Sequence, residues 1–177
     1  IVGPFGKPTH MDGLKRVCVV GGGTGNALAY PLACGMHKHG VETVMIAGFK
    51  TKDLVILEEE FRAGVDELYV MTDDGSYGEK GFTTAKLEEL IQAGEKFDEV
   101  IAVGPPMMMK FTCQIAEKYG IHSVASLTAY MIDGTGMCGG CRCKIGGEDK
   151  FVYVDGPEFD GALVDWDDLI RRSAYYK

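Results

Sequence analysis

No apolar run in this sequence approaches the roughly 20 residues that a membrane-crossing helix requires, so no span is expected. Positive charge is also scarce: 18 Lys and Arg stand against 26 Asp and Glu, a formal net charge of −8. That balance argues against nucleic acid or an anionic membrane as a partner, since both call for a cationic surface. Six cysteines in 177 residues are few for a disulfide scaffold. There is no internal repeat and no low-complexity tract. An initiator methionine is missing too. The chain begins with Ile1, from which we expect a longer or processed parent polypeptide, and missing targeting signals carry no weight.

What is present suits one globular domain, or one domain with a small appendage. Hydrophobic residues make up 46 % of the chain, enough for a core and too many for a disordered segment. Residues 1–15 are rich in Gly and Pro, lack a period, and read as a leading segment. Strands and helices then alternate. Strands are expected over 16–20, 41–48, 66–71, 98–104 and 121–127. Helices are expected over 26–39, 53–63, 83–93 and 106–119. The first helix sets Leu28, Leu32 and Met36 on one face, and Asp53 is a plausible cap of the second, with Gly64 as its stop. Such alternation predicts an α/β fold: an open, parallel, five-stranded sheet with helices on both faces and right-handed crossovers. After Leu127 the alternation breaks, acids accumulate from Glu148 to Asp168, and a short helix over about 165–172 closes the chain. This tail reads as a small separate module.

GGGTGN, residues 21–26, joins the first strand to the first helix. Glycines there let a backbone approach a pyrophosphate, and the helix N-terminus offers unpaired N–H groups to the anion. Gly21, Gly22, Gly23, Thr24, Gly25 and Asn26 are therefore candidate nucleotide contacts. The strict dinucleotide fingerprint asks for glycine near position 26, where Asn26 stands, and the alternative is a tight turn with no ligand. After the second strand, GFKTKD offers Lys50 and Lys52 where an NAD reader carries an acid; either could meet a 2′-phosphate or simply be solvated. Asp73, Asp74, Gly75 and Ser76 follow the third strand on the same carboxyl edge, as a binding loop or an ordinary Asp-Gly turn. Gly104 and Pro105 follow the fourth strand, with Pro106 suited to a first helical turn. Met107, Met108 and Met109 cannot all face inward, so at least one is expected to line the cleft. No residue stands out as a general acid or base, so no catalytic residue is assigned.

MCGGCRCKIGG, residues 137–147, packs three of the six cysteines together. The spacing of Cys138 and Cys141, with Cys143 next, suits a soft metal or an iron–sulfur cluster in a reducing, cytoplasmic setting. Half a zinc site or a redox dithiol are the alternatives, and His122 on a strand is a poor zinc partner. Cys18, Cys34 and Cys113 fall in strand and helix patterns and read as buried apolar side chains.

GGGTGNALAYP, TDDGSYGEKG, GPPMMMK, DGTGMCGGC and VDGPEFDG occur in this order over residues 1 to about 172. In this the chain resembles the small electron-transfer subunits related to ferredoxin–NADP reductase. That group includes the electron-transfer subunit of dihydroorotate dehydrogenase, the small subunit of NADH-dependent reduced-ferredoxin:NADP oxidoreductase and the beta subunit of sulfide dehydrogenase. The resemblance implies an NAD(P)-binding domain over 16–128 and a [2Fe–2S] module with a C-terminal helix over 129–177. Residues 1–15 would be the end of an FAD-binding β-barrel, with FAD bound only in the full-length protein. It also implies a larger catalytic oxidoreductase subunit as partner, and electrons passing between NAD(P)H, FAD and that partner. The group's ligand set of one aspartate and three cysteines falls on Asp133, Cys138, Cys141 and Tyr153. Tyr153 departs from the pattern, so either Cys143 substitutes or the cluster is labile, altered or lost. A regulatory NAD(P)-binding module with a degenerate cluster, or a zinc-binding structural domain, are the alternatives.

Overall fold

Arg16–Gly22, the first strand (β1), is apolar at almost every position because both of its faces are covered. Val17 and Val19 point into a core layer with Ala29, Ala33, Met36 and Phe61. Cys18 and Val20 point the other way, toward Leu87, Leu90, Val100 and Ala116. The period of two along one strand thus feeds two separate helical layers. The computed structural model describes residues 3–174. The first two residues of the leading segment and the last three of the chain lie outside the described residues.

The elements after β1 are α1 (Asn26–Lys38), β2 (Glu42–Phe49), α2 (Glu58–Gly64), β3 (Glu67–Thr72), β4 (Glu79–Lys80), α3 (Thr83–Gln92), β5 (Glu99–Val103), α4 (Pro106–Lys118) and β6 (His122–Ser126). Beyond them come β7 (Arg142–Ile145), β8 (Glu148–Phe151), α5 (Val152–Asp155), β9 (Glu158–Asp160) and α6 (Trp166–Ala174). The main sheet runs β4-β3-β2-β1-β5-β6-β9. All neighbours pair in parallel except β6 and β9. The five expected parallel strands form its centre. Two short edge strands, one of them antiparallel, extend it to seven. The chain winds outward from β1 to β3 on one side and from β5 to β6 on the other, so the switch point lies between β1 and β5.

Two local expectations change. The buried face of α1 is Asn26, Ala29, Ala33 and Met36, while Leu28 is 56 % exposed. Small alanines let the helix lie close on the sheet, and Leu28 is left over the strand ends. Asp53 does not cap α2: it sits in a 3₁₀ turn at Lys52–Leu54, and the helix starts four residues later, after Leu57 in a left-handed conformation (φ 59°). Glu58, Glu59 and Glu60 occupy its first turn, where the helix dipole favours acids.

The tail packs onto the sheet rather than standing apart from it. β9 pairs with β6, and Cys141, Cys143, Val152, Val164 and Leu169 share one apolar cluster with Ala102, Met109, Cys113 and Ala125. β7 and β8 form their own antiparallel pair. The leading segment crosses this region: the Lys7 amide donates to the Gly156 carbonyl (2.7 Å), and the Thr9 hydroxyl to Glu158 (2.8 Å).

Where the leading segment enters β1, Asp98 accepts from the amides of Lys15 (2.7 Å) and Arg16 (2.9 Å). The Arg16 amide above all, then that of Lys15, holds its carboxyl below the ordinary range. A carboxyl whose folded pKa is depressed stabilises the fold above its unfolded value, near 3.9, and that contribution is lost as pH falls through the folded pKa. Asp98→Ala should therefore lower the urea midpoint at pH 7, and the gap from wild type should close on acidification toward pH 2–3. An equal gap at both extremes would show that the carboxylate charge is not what matters.

Candidate functional site

The carboxyl ends of β1, β2 and β5 open into a cleft of about 730 Å³. That volume lies within the range of small-molecule and cofactor sites. One wall is the glycine turn, Gly22 to Gly25, with Leu28 behind it. Gly104, Pro105 and Pro106 form the floor, and Lys50 stands at the end of β2. The opposite wall comes from the tail: Thr128, Ala129, Tyr130, Gly140, Arg142, Leu169, Arg172 and Ser173. Every charged residue in this lining is a cation, in a chain of net charge −8. The lining carries no Asp, Glu, His or Cys, so the cleft is poor in proton-transfer groups and suited to holding an anion.

The successive glycines do different jobs. A Cβ on Gly21 would lie 2.1 Å from Asn26 Oδ1, so Gly21 is buried and does not line the cleft. A Cβ on Gly22 would strike Met108 Sδ at 2.5 Å, and one on Gly25 would meet the Val103 carbonyl at 2.6 Å. Gly23 alone is open: it has φ +55°, and a Cβ placed on it would meet nothing within 4 Å. No side chain caps the 3₁₀ turn or α1 behind it, which leaves the N-terminal amides turned toward an incoming acceptor. Asn26, at the position where the strict fingerprint asks for glycine, is fully buried, and its Nδ2 donates to Gly23 O (3.0 Å) and Gly48 O (3.1 Å). It thereby ties the turn to β2 from below.

Other expected residues fall outside the lining. Met107 is 48 % exposed, Met108 packs under Gly22, and Met109 is buried. Asp73, Asp74 and Gly75 form a turn on the surface: Asp74 accepts from the Ser76 amide (2.9 Å) and hydroxyl (2.6 Å), which hold its carboxyl below the usual range. Ser76 Oγ in turn accepts from the Lys52 amide (2.8 Å), so this loop braces the segment that carries Lys50. Lys52 itself lies over the Tyr77 ring at 5.5 Å. The tail residues of the cleft were not expected. Their only signal is the i, i+3, i+4 spacing of Leu169, Arg172 and Ser173 on the last helix.

Residues 128–165 match the model of the iron–sulfur cluster binding domain of dihydroorotate dehydrogenase B. Across 100 % of its length the chain is 43 % identical to the dihydroorotate dehydrogenase B (NAD(+)) electron transfer subunit homolog of Thermotoga maritima, covering 62 % of that protein. It is 38 % identical to a probable subunit of the same kind from Methanocaldococcus jannaschii, over 99 % of this chain and 65 % of the relative. A solved structure of an NADH-dependent reduced ferredoxin-NADP oxidoreductase, described for flavin-based electron bifurcation, superposes with a TM-score of 0.91 at 43 % identity, over 99 % of this chain and 63 % of that one. The chain is thus similar to electron-transfer subunits of this kind over nearly its whole length. It spans less than two thirds of the length of these relatives.

The region that matches the iron–sulfur domain can be tested against the donors present. Asp133 and Cys138 lie on one glycine-rich loop: Asp133 accepts from the amides of Cys138 (2.7 Å), Thr135 (2.8 Å) and Gly136 (3.1 Å). Desolvation alone would raise this carboxyl; the amide bonds, with the Cys138 thiol, outweigh it and lower it. The Gly140 amide donates to Cys138 Sγ at 3.4 Å. Cys141 and Cys143, two apart, face inward together, and Arg142 between them faces out. Burial, with Cys141 and then Asp155 adding to it, pushes the Cys143 thiol up to about 12, so it is held protonated in the core. Tyr153 is already engaged: its hydroxyl donates to the Ala129 carbonyl and accepts from the Ala129 amide (3.2 Å). Among the described residues no three His, Cys, Asp or Glu side chains converge as a metal ion would need. Asp133, Cys138 and Cys141 suit a cluster by type and loop position. As a four-donor set with Tyr153 or Cys143 they do not fit.

Two substitutions check this geometry. Gly25→Ala forces its methyl against the Val103 carbonyl and should destabilise the fold by about 1–3 kcal/mol, read by denaturant unfolding. Tyr153→Phe keeps the ring and removes both bonds to Ala129. It should cost about 0.5–1.5 kcal/mol per bond lost and speed amide hydrogen exchange at Ala129. Unchanged exchange there would mean that the clamp is not formed in solution.

Proposed function

We propose that this chain is the NAD(P)H-binding and electron-transfer portion of a flavin/iron–sulfur oxidoreductase subunit that works with a larger catalytic subunit. The observation that carries the proposal is the shared cleft: one wall is an uncapped glycine turn at a sheet switch point, and the other comes from α6 and from residues within 128–165, which match an iron–sulfur cluster binding domain. The nucleotide's pyrophosphate would rest on the Gly22–Gly25 turn, and Gly104 and Pro105 would bound the next part of the ligand. When bound, nicotinamide, flavin and a cluster would supply the hydride and single-electron chemistry, while the chain binds, orients and excludes water. A lining without carboxylates, histidines or thiols agrees with that division. Asp133, Cys138 and Cys141 are proposed as cluster donors by residue type and loop position alone, since their side chains do not converge here, and FAD is proposed to belong to the full-length protein. The relatives at 43 % and 38 % identity are named for NAD(+), which supports NADH as the first nucleotide to test.

A second reading is that of a regulatory NAD(P)-binding module whose cluster site has decayed. The engagement of Tyr153 by Ala129 favours it.

Calorimetric titration of the full-length protein with NADH and NADPH tests the first step. At Gly23→Asp the new side chain meets no neighbour, and Asp is among the residues that best accept the left-handed φ, so the backbone strain is small beside the like charge set where the phosphates would lie; a denaturant midpoint measured alongside separates the two effects. The substitution should weaken binding by roughly tenfold or more, about 1.4 kcal/mol. Wild-type protein that binds neither nucleotide would overturn the proposal. Iron, acid-labile sulfide and spin resonance on protein isolated without oxygen separate the two readings. Cluster signal in the wild type, or its gain in Tyr153→Cys, supports the electron-transfer form. Neither metal nor sulfide in either protein supports the regulatory one.

A further inference from the structure

Among the charged residues of the cleft, Arg172 is the one whose surroundings do not account for it. Arg142 pairs with Asp149 at 3.4 Å. Lys50 sits at a strand end where a solvated lysine is ordinary. Arg172 is half-buried on α6 and makes no hydrogen bond or ion pair among the described residues. The dipole of α6 favours a cation in its last turn, but Arg171 already supplies one and turns away to Asp168. Arg172 instead shares its helix face with Leu169 and Ser173, and all three line the cleft opposite the glycine turn.

That face is firmly placed. Leu169 is 5 % exposed within the tail's apolar cluster. Trp166 Nε1 donates to the Gly161 carbonyl (3.2 Å), and Asp165 caps the helix through the Asp168 amide (3.0 Å). A half-buried guanidinium held toward a cleft whose lining carries no acid has no carboxylate to pair with among the described residues, so its donors are left for a ligand anion. A planar fork of donors is matched by the paired oxygens of a phosphate.

We propose that Arg172 is a nucleotide-binding residue: from the last helix it grips a phosphate of the ligand whose other side rests on the amides of the Gly22–Gly25 turn. The inference rests on the nucleotide reading above and adds to it a side chain from the opposite wall. It makes the tail part of the binding site itself. A nucleotide would then bridge the glycine turn and α6, and the iron–sulfur domain between β6 and α6 would be held closed over it.

The test uses full-length protein and three probes: NADH, ADP and adenosine, titrated at two salt concentrations. Arg172→Ala should weaken NADH and ADP by roughly tenfold to a hundredfold, the range for hydrogen bonds to charged groups, and flatten the salt dependence. Adenosine, which has no phosphate, should bind Arg172→Ala as it binds wild type. Arg172→Lys keeps the charge without the fork and should fall between the two. Arg171→Ala removes the same charge from the same turn and should change nothing. Equal loss for adenosine and ADP would mean that Arg172 only supports the helix, and ADP binding unchanged in Arg172→Ala would overturn the assignment outright. Failure of wild type to bind NADH or ADP would instead remove the underlying nucleotide reading, and this proposal with it.

Discussion

The cleft exists because two backbone turns approach each other at the switch point of the sheet with no side chain between them. A Cβ on Gly25 would lie 2.6 Å from the Val103 carbonyl and 2.7 Å from Gly104 Cα, and one on Gly104 would lie 3.1 Å from the backbone of Gly22. The turn after β1 and the turn after β5 are therefore in direct main-chain contact. Any larger residue would wedge the strand ends apart and push the N-terminus of α1 away from the cleft. The close approach has an electrostatic consequence as well. It lines up uncapped amides in a place walled by glycine and proline, where few side chains compete for them.

Much of this was legible in the sequence, for a physical reason. Strands covered on both faces must be apolar throughout, and helices between them stop at glycine, so the alternation from Arg16 to Ser126 announces itself. What stayed hidden was short or two-sided. β4 and β9 are two and three residues long and carry no period. In α1 two stripes compete, and the alanine stripe lies on the sheet because it permits closer packing than the leucine one. Asn26 looked like a defect in a glycine fingerprint. In the fold it is a buried strut whose amide bonds both the turn and β2, while its own Oδ1 has no hydrogen-bond partner among the described residues and lies against Gly21. Glycine at 21 and asparagine at 26 thus form a matched pair: the side chain at one position needs the space left at the other.

The cysteine segment was legible in kind and not in detail. Its spacing marks a soft-donor loop, and residues 128–165 match an iron–sulfur cluster binding domain. Spacing does not say which thiols face outward. Alternation along β7 and the residue before it sends Cys141 and Cys143 into the core and Arg142 to the cleft, leaving Cys138 exposed. Nor could spacing show what a tyrosine does at position 153. Its hydroxyl takes both polar groups of one residue, Ala129, which lines the cleft.

That last contact changes how the two halves of the molecule relate. The chain leaves β6 at Ser126 and reaches the cleft wall at Thr128 to Tyr130 before entering the cysteine loop. Tyr153 pins this short passage from the far side of the loop, so the segment between Ala129 and Tyr153 is closed by hydrogen bonds at its base. Val152 adds a second tie through the Cys141 carbonyl (3.1 Å). A displacement of the loop that carries Asp133 and Cys138 must then strain either Ala129, in the cleft wall, or α5, which abuts β8 and β9. Packed and hydrogen-bonded elements of this sort transmit small shifts because they cannot deform continuously. The cleft and the cysteine segment thus meet in two ways: Gly140 and Arg142 line the cleft directly, and the Tyr153 phenol ties the base of the segment to Ala129 in the cleft wall.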